Sequence, residues 1–157
     1  MPIVQYHATV LRESGLAPNF SRIEDVHARE KMSGFRFPAS IVEWYSLKDA
    51  VELLENFREG NADSRGKIVP ITSLGDPGPH DPETPYRGYL QLYRSGEADF
   101  AIYAILNGSE DPAVYVDACK LDDEDLLIPK FFPYKPTYSE FVLDWVRRGS
   151  NRGVEPT

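Results

Sequence analysis

The chain has 157 residues, 41% of them hydrophobic, the length of one ordinary domain with enough apolar material for a core that needs no disulfide or metal. Its only cysteine, Cys119, has no partner within the chain, and no stretch approaches the ~20 apolar residues that span a bilayer, so a cytoplasmic protein with no membrane contact is expected. Seventeen basic residues against twenty-five acidic ones give a net charge of −8, the wrong sign for direct nucleic-acid binding; it suits a basic protein partner, or simply keeps the chain in solution.

The first twenty residues show no sustained period, with short edge-strand character at Ile3 to Tyr6 and Thr9 to Leu11. Ser21 and Glu24 have the spacing of a capping box, which predicts a helix from about Ile23 to Lys31, broken by Gly34. Pro38 suits the first turn of a second helix, in which Ile41, Trp44 and Tyr45 share a core-bound face and Glu43 points away. Ser46 and Asp49 repeat the capping spacing, and Val51, Leu53 and Leu54 support a further helix from about Leu47 to Asn56, continuous or nearly so with the one before. Ile68-Val69-Pro70-Ile71 reads as a short strand whose proline favours a sheet edge or a bulge.

From Ser73 to Tyr86, four prolines and two glycines mark a loop. Three strands then follow, at Gly88 to Arg94, Phe100 to Leu106 and Ala113 to Asp117, joined at Ser95-Gly96-Glu97 and Asn107-Gly108, where residues tolerant of positive φ permit tight turns. Lys120 to Asp125 is an acidic connector. The closing helix has a capping box at Thr137 and Glu140 and an apolar stripe of Tyr138, Phe141, Val142 and Trp145; Arg147 and Arg148 complement its dipole, and Gly149 is its expected stop. The order implies an α+β fold: an antiparallel meander sheet with N-terminal helices and a C-terminal helix packed on one face, in a single domain over residues 1–157 with its core at about 21–148 and a tail at 149–157.

No catalytic, cofactor or metal site emerges from this pattern. The three histidines His7, His27 and His80 have no zinc-pair or nucleophile-base spacing, and Asp76, His80, Asp81 and Glu83 belong to a loop whose composition is that of turns. Cys119 is flanked by Asp117, Asp122 and Asp123, which oppose a reactive thiolate, so an inert cysteine is expected. A small hydrolase using Cys119 or His80 is the competing enzymatic reading. The residues singled out for partner binding are acidic: Glu97 and Asp99 at one turn, Glu110 and Asp111 at the next, and the run Asp122, Asp123, Glu124 and Asp125. Tyr86 and Tyr93 are the candidate aromatic anchors, with Tyr89, Tyr103 and Tyr115 nearby; packing within the sheet is the alternative for each tyrosine, and a solvated face for the acidic run.

Three motifs carry a family resemblance. Phe37-Pro38-Ala39-Ser40-Ile41-Val42-Glu43-Trp44-Tyr45-Ser46-Leu47 resembles the opening motif of the SUKH superfamily, Asp111-Pro112-Ala113-Val114-Tyr115-Val116-Asp117 its late-strand element, and Tyr138-Ser139-Glu140-Phe141-Val142 its closing helix. Their order fits, from about Ser21 to Arg148. The chain departs from the family in running Ser46-Leu47-Lys48-Asp49 into a helix where many members have an Asn-Gly turn, as a divergent branch would. The resemblance implies a SUKH-like fold and a non-enzymatic binding domain without cofactor, commonly a bacterial immunity protein that neutralises a cognate toxin, often a nuclease or deaminase with a basic cleft. A regulatory scaffold of the fungal cell-wall-synthesis-regulator type is the alternative it leaves open.

Overall fold

A computed structural model describes residues 3–55, 67–71, 74, 89–94, 100–121 and 127–152. The N-terminal segment, to which the sequence assigned no element, forms helix α1 (Ala8–Ser14), which buries Val10 and Leu11 and stops where Gly15 takes a φ of 69°. Helix α2 (Ile23–Ser33) runs two residues past the expected end before Gly34 closes it at a φ of 74°, donating its N–H to the Glu30 carbonyl. The capping box of Ser21 and Glu24 does not form. Ser21 N–H donates to Asn19 Oδ1, and the entry to α2 is held instead by backbone bonds from Arg22 N–H to Ser46 O and from Lys48 N–H to Asn19 O.

Pro38 opens helix α3 (Ala39–Ser46), as its fixed φ permits, and Ile41, Trp44 and Tyr45 are buried as the periodicity requires. Helix α4 (Val51–Glu55) is separate from α3: Leu47 is extended, and Asp49 turns the chain at a φ of 66°. The sheet has the order β1-β2-β3-β4-β5, with every neighbouring pair antiparallel. Strand β1 (Lys67–Ile68) lies at one edge and ends before Val69 and Pro70, which were expected inside it; β2 (Tyr89–Arg94), β3 (Phe100–Ile105) and β4 (Val114–Leu121) form the expected meander.

Strand β4 takes in Lys120 and Leu121, expected in the acidic connector, and strand β5 (Leu127–Lys135), its signal masked by prolines, occupies a stretch to which the sequence assigned no element. Pro129 and Pro133 face Cys119 and Tyr115 in the ladder with β4, four residues apart and so of the same parity. Their nitrogens, unable to donate, therefore point the same way, and an edge strand, with one side open, is where prolines are tolerated.

Helix α5 (Tyr138–Arg152) extends through Gly149 to Arg152, beyond the expected stop, so residues 150–152 belong to the helix and not to a tail. It packs against α1, α3 and α4 and against β5. Tyr138, Phe141, Val142 and Trp145 are all buried, in one cluster with Trp44 and Tyr45 from α3, Phe37 from the turn before it, and Leu90, Leu92, Ile102, Ala104 and Val114 from the sheet. The helices thus cover one face of the meander, and the fold is α+β as the order of elements implied.

Candidate functional site

Four segments distant in sequence meet where α1, α3 and α5 begin. Glu43, expected to face solvent, is 8% exposed: its Oε1 accepts the Gln5 N–H, and its Oε2 accepts those of Tyr6 at 2.8 Å and His7 at 3.1 Å. One carboxylate from α3 therefore holds the three amides that lead into α1, which has no cap of its own side chains. Such charge-assisted bonds are the stronger class, and truncation of Glu43 would strand all three donors.

His7 lies 2.8 Å through Nε2 from the Ser40 carbonyl, so the neutral ring carries its proton on Nε2 and donates it. Its Nδ1 is buried with no hydrogen-bond partner among the described residues, and burial pushes the imidazole pKa down to about 4 against the weaker upward pull of the Ser40 carbonyl and Asp111. Ser40 N–H donates in turn to the Glu110 carbonyl at 2.8 Å. In the turn between β3 and β4, Gly108 takes a φ of 92°, and Asn107 Oδ1 and Ser109 Oγ accept backbone amides two residues on. The turn presents Asp111 to the start of α5, where its two oxygens accept Ser139 N–H at 3.0 Å and Ser139 Oγ–H at 2.6 Å. Thr137 Oγ1 accepts the Glu140 N–H, the expected half of that capping box. Tyr138, fully buried beside it, has its phenol pKa raised, first by burial and then by Tyr45 and Asp111.

Beside this junction a cleft of about 310 Å³ opens between the N-terminal segment, α2 and α3. Phe20, Ile23 and Val42 supply apolar wall, Ile3 stands 80% exposed at its edge, and Glu30, Glu43 and Glu110 put three carboxylates around it against Arg36 and His27. Glu30 accepts the Phe37 N–H at 2.8 Å and bonds His27 Nδ1 at 2.9 Å, pinning the turn between α2 and α3. Arg36 reaches Glu110 at 3.6 Å with its side chain 85% exposed, so that pair sits at the solvent rim. A second groove, lined by Phe35, Pro38 and Leu106, shares Arg36, Phe37 and Glu110 with the first.

Of the residues expected to bind a partner, Glu110 is exposed and lines both grooves, whereas Asp111 is half-buried with both oxygens engaged by Ser139. Tyr93 is 2% exposed, its ring centroid 4.9 Å from that of Trp145, which corrects its assignment as a surface anchor. The physical reason is a register shift between Gln91 and Tyr93, which breaks the alternation of β2 and buries Leu90, Leu92 and Tyr93 alike. Tyr103 is also buried, and Tyr89 and Tyr115 are half-buried and meet edge to face at 6.0 Å. Glu97, Asp99, Tyr86 and the run Asp122, Asp123, Glu124 and Asp125 lie outside the described residues, as do Asp76, His80, Asp81 and Glu83; of Cys119 only the backbone, in β4, is described.

Among the described residues no group of three His, Cys, Asp or Glu side chains is placed to hold a metal ion, and no helix is long and apolar enough to cross a membrane. Searches with the sequence and the fold find no matching family model, no matching curated protein and no matching solved structure.

Proposed function

We propose that this chain is a non-enzymatic, cytoplasmic protein-binding domain of the immunity type, which neutralises a toxin by occupying a basic face of it. The observation that carries the reading is the acidic cleft with an apolar edge: three carboxylates and an exposed Ile3 share one concave surface on a chain of net charge −8. An acidic concavity of this kind attracts a cationic surface at long range and rewards it with apolar contact at short range. A toxin that acts on nucleic acid offers such a surface, because it must itself attract phosphates.

The resemblance to the SUKH superfamily gains support from where its motifs fall. The first opens α3, the second runs from the end of the β3–β4 turn into β4, and the third opens α5; Ser40 of the first bonds Glu110, the residue before the second, and Asp111 of the second bonds Ser139 of the third. Three separate stretches that serve one junction have a common structural purpose.

Co-expression tests the function. Cells producing the toxin domain encoded beside this gene should survive when this chain is supplied, and the two proteins should purify as a complex whose association slows in Glu110→Lys and in the pair Asp122→Lys with Asp125→Lys. Failure to rescue, together with recovery of cell-envelope or signalling proteins as partners, would replace the immunity role by that of a regulatory scaffold.

A further inference from the structure

Among the described residues, every polar bond between residues 3–16 and the rest of the chain passes through one of three titratable side chains. Glu43 of α3 accepts the amides of Gln5, Tyr6 and His7; His7 donates through Nε2 to the Ser40 carbonyl; Glu13 accepts bonds from Arg147 of α5 at 2.9 and 2.7 Å. The segment's backbone bonds outside its helix ladder stay within it, from Leu11 to His7, Gly15 to Arg12 and Leu16 to Leu11. Among these residues no backbone–backbone bond therefore anchors α1 to the body, and a helix of seven residues does not hold its shape alone. Beyond it the chain runs without regular structure from Leu16 to Phe20. The next ties, from Arg22 to Ser46 and from Lys48 to Asn19, are backbone bonds that no proton alters.

Acid weakens all three ties. Glu43 serves three donors only as a carboxylate, since a proton on either oxygen sets an O–H against an N–H that needs an acceptor. Arg147 hydrogen-bonds the Glu13 carboxyl and holds it below the usual range, so this tie is complete above the ordinary carboxylate value and lost as the pH falls through the lowered one. His7 is buried between Trp44 and Tyr138, and that burial holds its pKa down, so the tie made by the neutral ring is lost in the same direction. The groups around them do not reverse the sign. Asp111, in the turn between β3 and β4, favours the protonated ring less strongly than burial opposes it, and the Tyr138 phenol that faces the ring from α5 stays neutral. Around Glu43 stand Tyr6, also held neutral, Glu30 and His27 of α2, Arg36 before α3 and Glu110 of the turn. Beside Glu13 are Arg12 and Arg147, the latter with Asp144 near it.

We propose that residues 3–16 form an acid-released strap, which leaves α3 and α5 as one piece while the sheet is still folded. Near neutral pH the ties hold and the strap unfolds with the core. In acid they fail together, and the apolar burial of the strap, chiefly Val10 and Leu11, is what still opposes release. Gly15, at a φ of 69°, and the irregular stretch after it serve as the hinge. Release uncovers Trp44 and Tyr138, on which the His7 ring rests, and takes Ile3, Gln5 and Tyr6 out of the cleft wall. Acid thus dismantles the cleft without melting the molecule, whatever occupies it.

The test follows the amide signals of the full chain, labelled with nitrogen-15, from about pH 7 to about pH 3.5. Signals of Gln5 to Glu13 should leave their native positions while those of Leu90, Ile102 and Val116 in the sheet keep theirs. The ratio of open to closed strap should rise about tenfold between about pH 5 and about pH 4, as the uptake of a proton on opening requires. Glu43→Gln sets an amide N–H against the strap at any pH. At about pH 7 the amides of Gln5 to Glu13 should therefore exchange with solvent at least about tenfold faster than in the wild-type chain, with the sheet amides unchanged. Loss of strap and sheet signals at one and the same pH, or a strap that keeps its native signals at about pH 3.5, would overturn the proposal. So would wild-type protection of the strap in a folded Glu43→Gln; should that variant fail to fold, the wild-type titration decides by itself.

Discussion

The His7 imidazole is enclosed by Trp44 at 5.0 Å and Tyr138 at 5.8 Å between ring centroids, with Glu43 holding its backbone and Asp111 the nearest charge acting on the ring. Among the described residues nothing accepts a bond from Nδ1, so a second proton finds no partner among them. Its pKa falls from 6.5 to about 4 on folding, which means that the unfolded chain takes up the proton first. Stability contributed by the neutral ring is therefore complete above the unfolded value and drains away as the pH falls from 6.5 toward 4. Urea unfolding at about pH 7 and about pH 4.5 should show a loss of about 2 to 3 kcal/mol from this residue, read as the difference in slope between the wild-type chain and His7→Gln. An identical pH dependence in both would mean that the ring is not held neutral. Neither His7 nor Glu43 was legible as a site residue from sequence. Glu43 occupies a polar position on the helical period of α3, and what buries it is a segment 36 to 38 residues away, beyond the reach of any local pattern.

Between α3 and α4 the chain makes a left-handed turn at Asp49, with a φ of 66°. Asp49 is exposed, so its substitution probes the backbone with little change in packing. Asp49→Val should cost about 1 to 2 kcal/mol, because a β-branched side chain is crowded in this region, whereas Asp49→Gly should be neutral or stabilising by up to about 1 kcal/mol. Thermal unfolding of the two variants decides it, and equal melting temperatures would remove the left-handed turn from the account. The same element scale shows what a linear reading catches. Helices α2, α3 and α5 and strands β2 to β4 announce themselves through period, breakers and turn residues. Helix α1 does not, being seven residues long and held by the Glu43 carboxylate; β5 does not, because its two prolines suppress a strand signal that an edge position makes harmless. The bulge at Leu92 escapes for a related reason, since alternation alone assigns Tyr93 to the outer face.

At the scale of the whole molecule, the two tryptophans report on different layers of one buried cluster: Trp44 on α3 is sealed against His7, and Trp145 on α5 meets Tyr93 of β2 and donates through Nε1 to Tyr134 of β5 at 2.9 Å. Helical layer and sheet share this cluster, so neither can lose its packing while the other keeps its own. Trp44→Phe leaves Trp145 as the only indole, and Trp145→Phe leaves Trp44, each at a cost of about 1 to 3 kcal/mol. Within each variant the fluorescence of the remaining tryptophan and the far-ultraviolet circular dichroism should follow the same denaturant midpoint, as a single cooperative unit requires. A fluorescence transition of Trp44 that precedes the loss of secondary structure would instead divide the molecule at the junction of α1, α3 and α5. The cleft would then belong to a unit able to open by itself, and its hold on a partner would have to fall with that opening and not with global unfolding. Coincident midpoints place the cleft on a surface as stable as the core behind it, one that meets a partner already formed and loses little conformational entropy in binding.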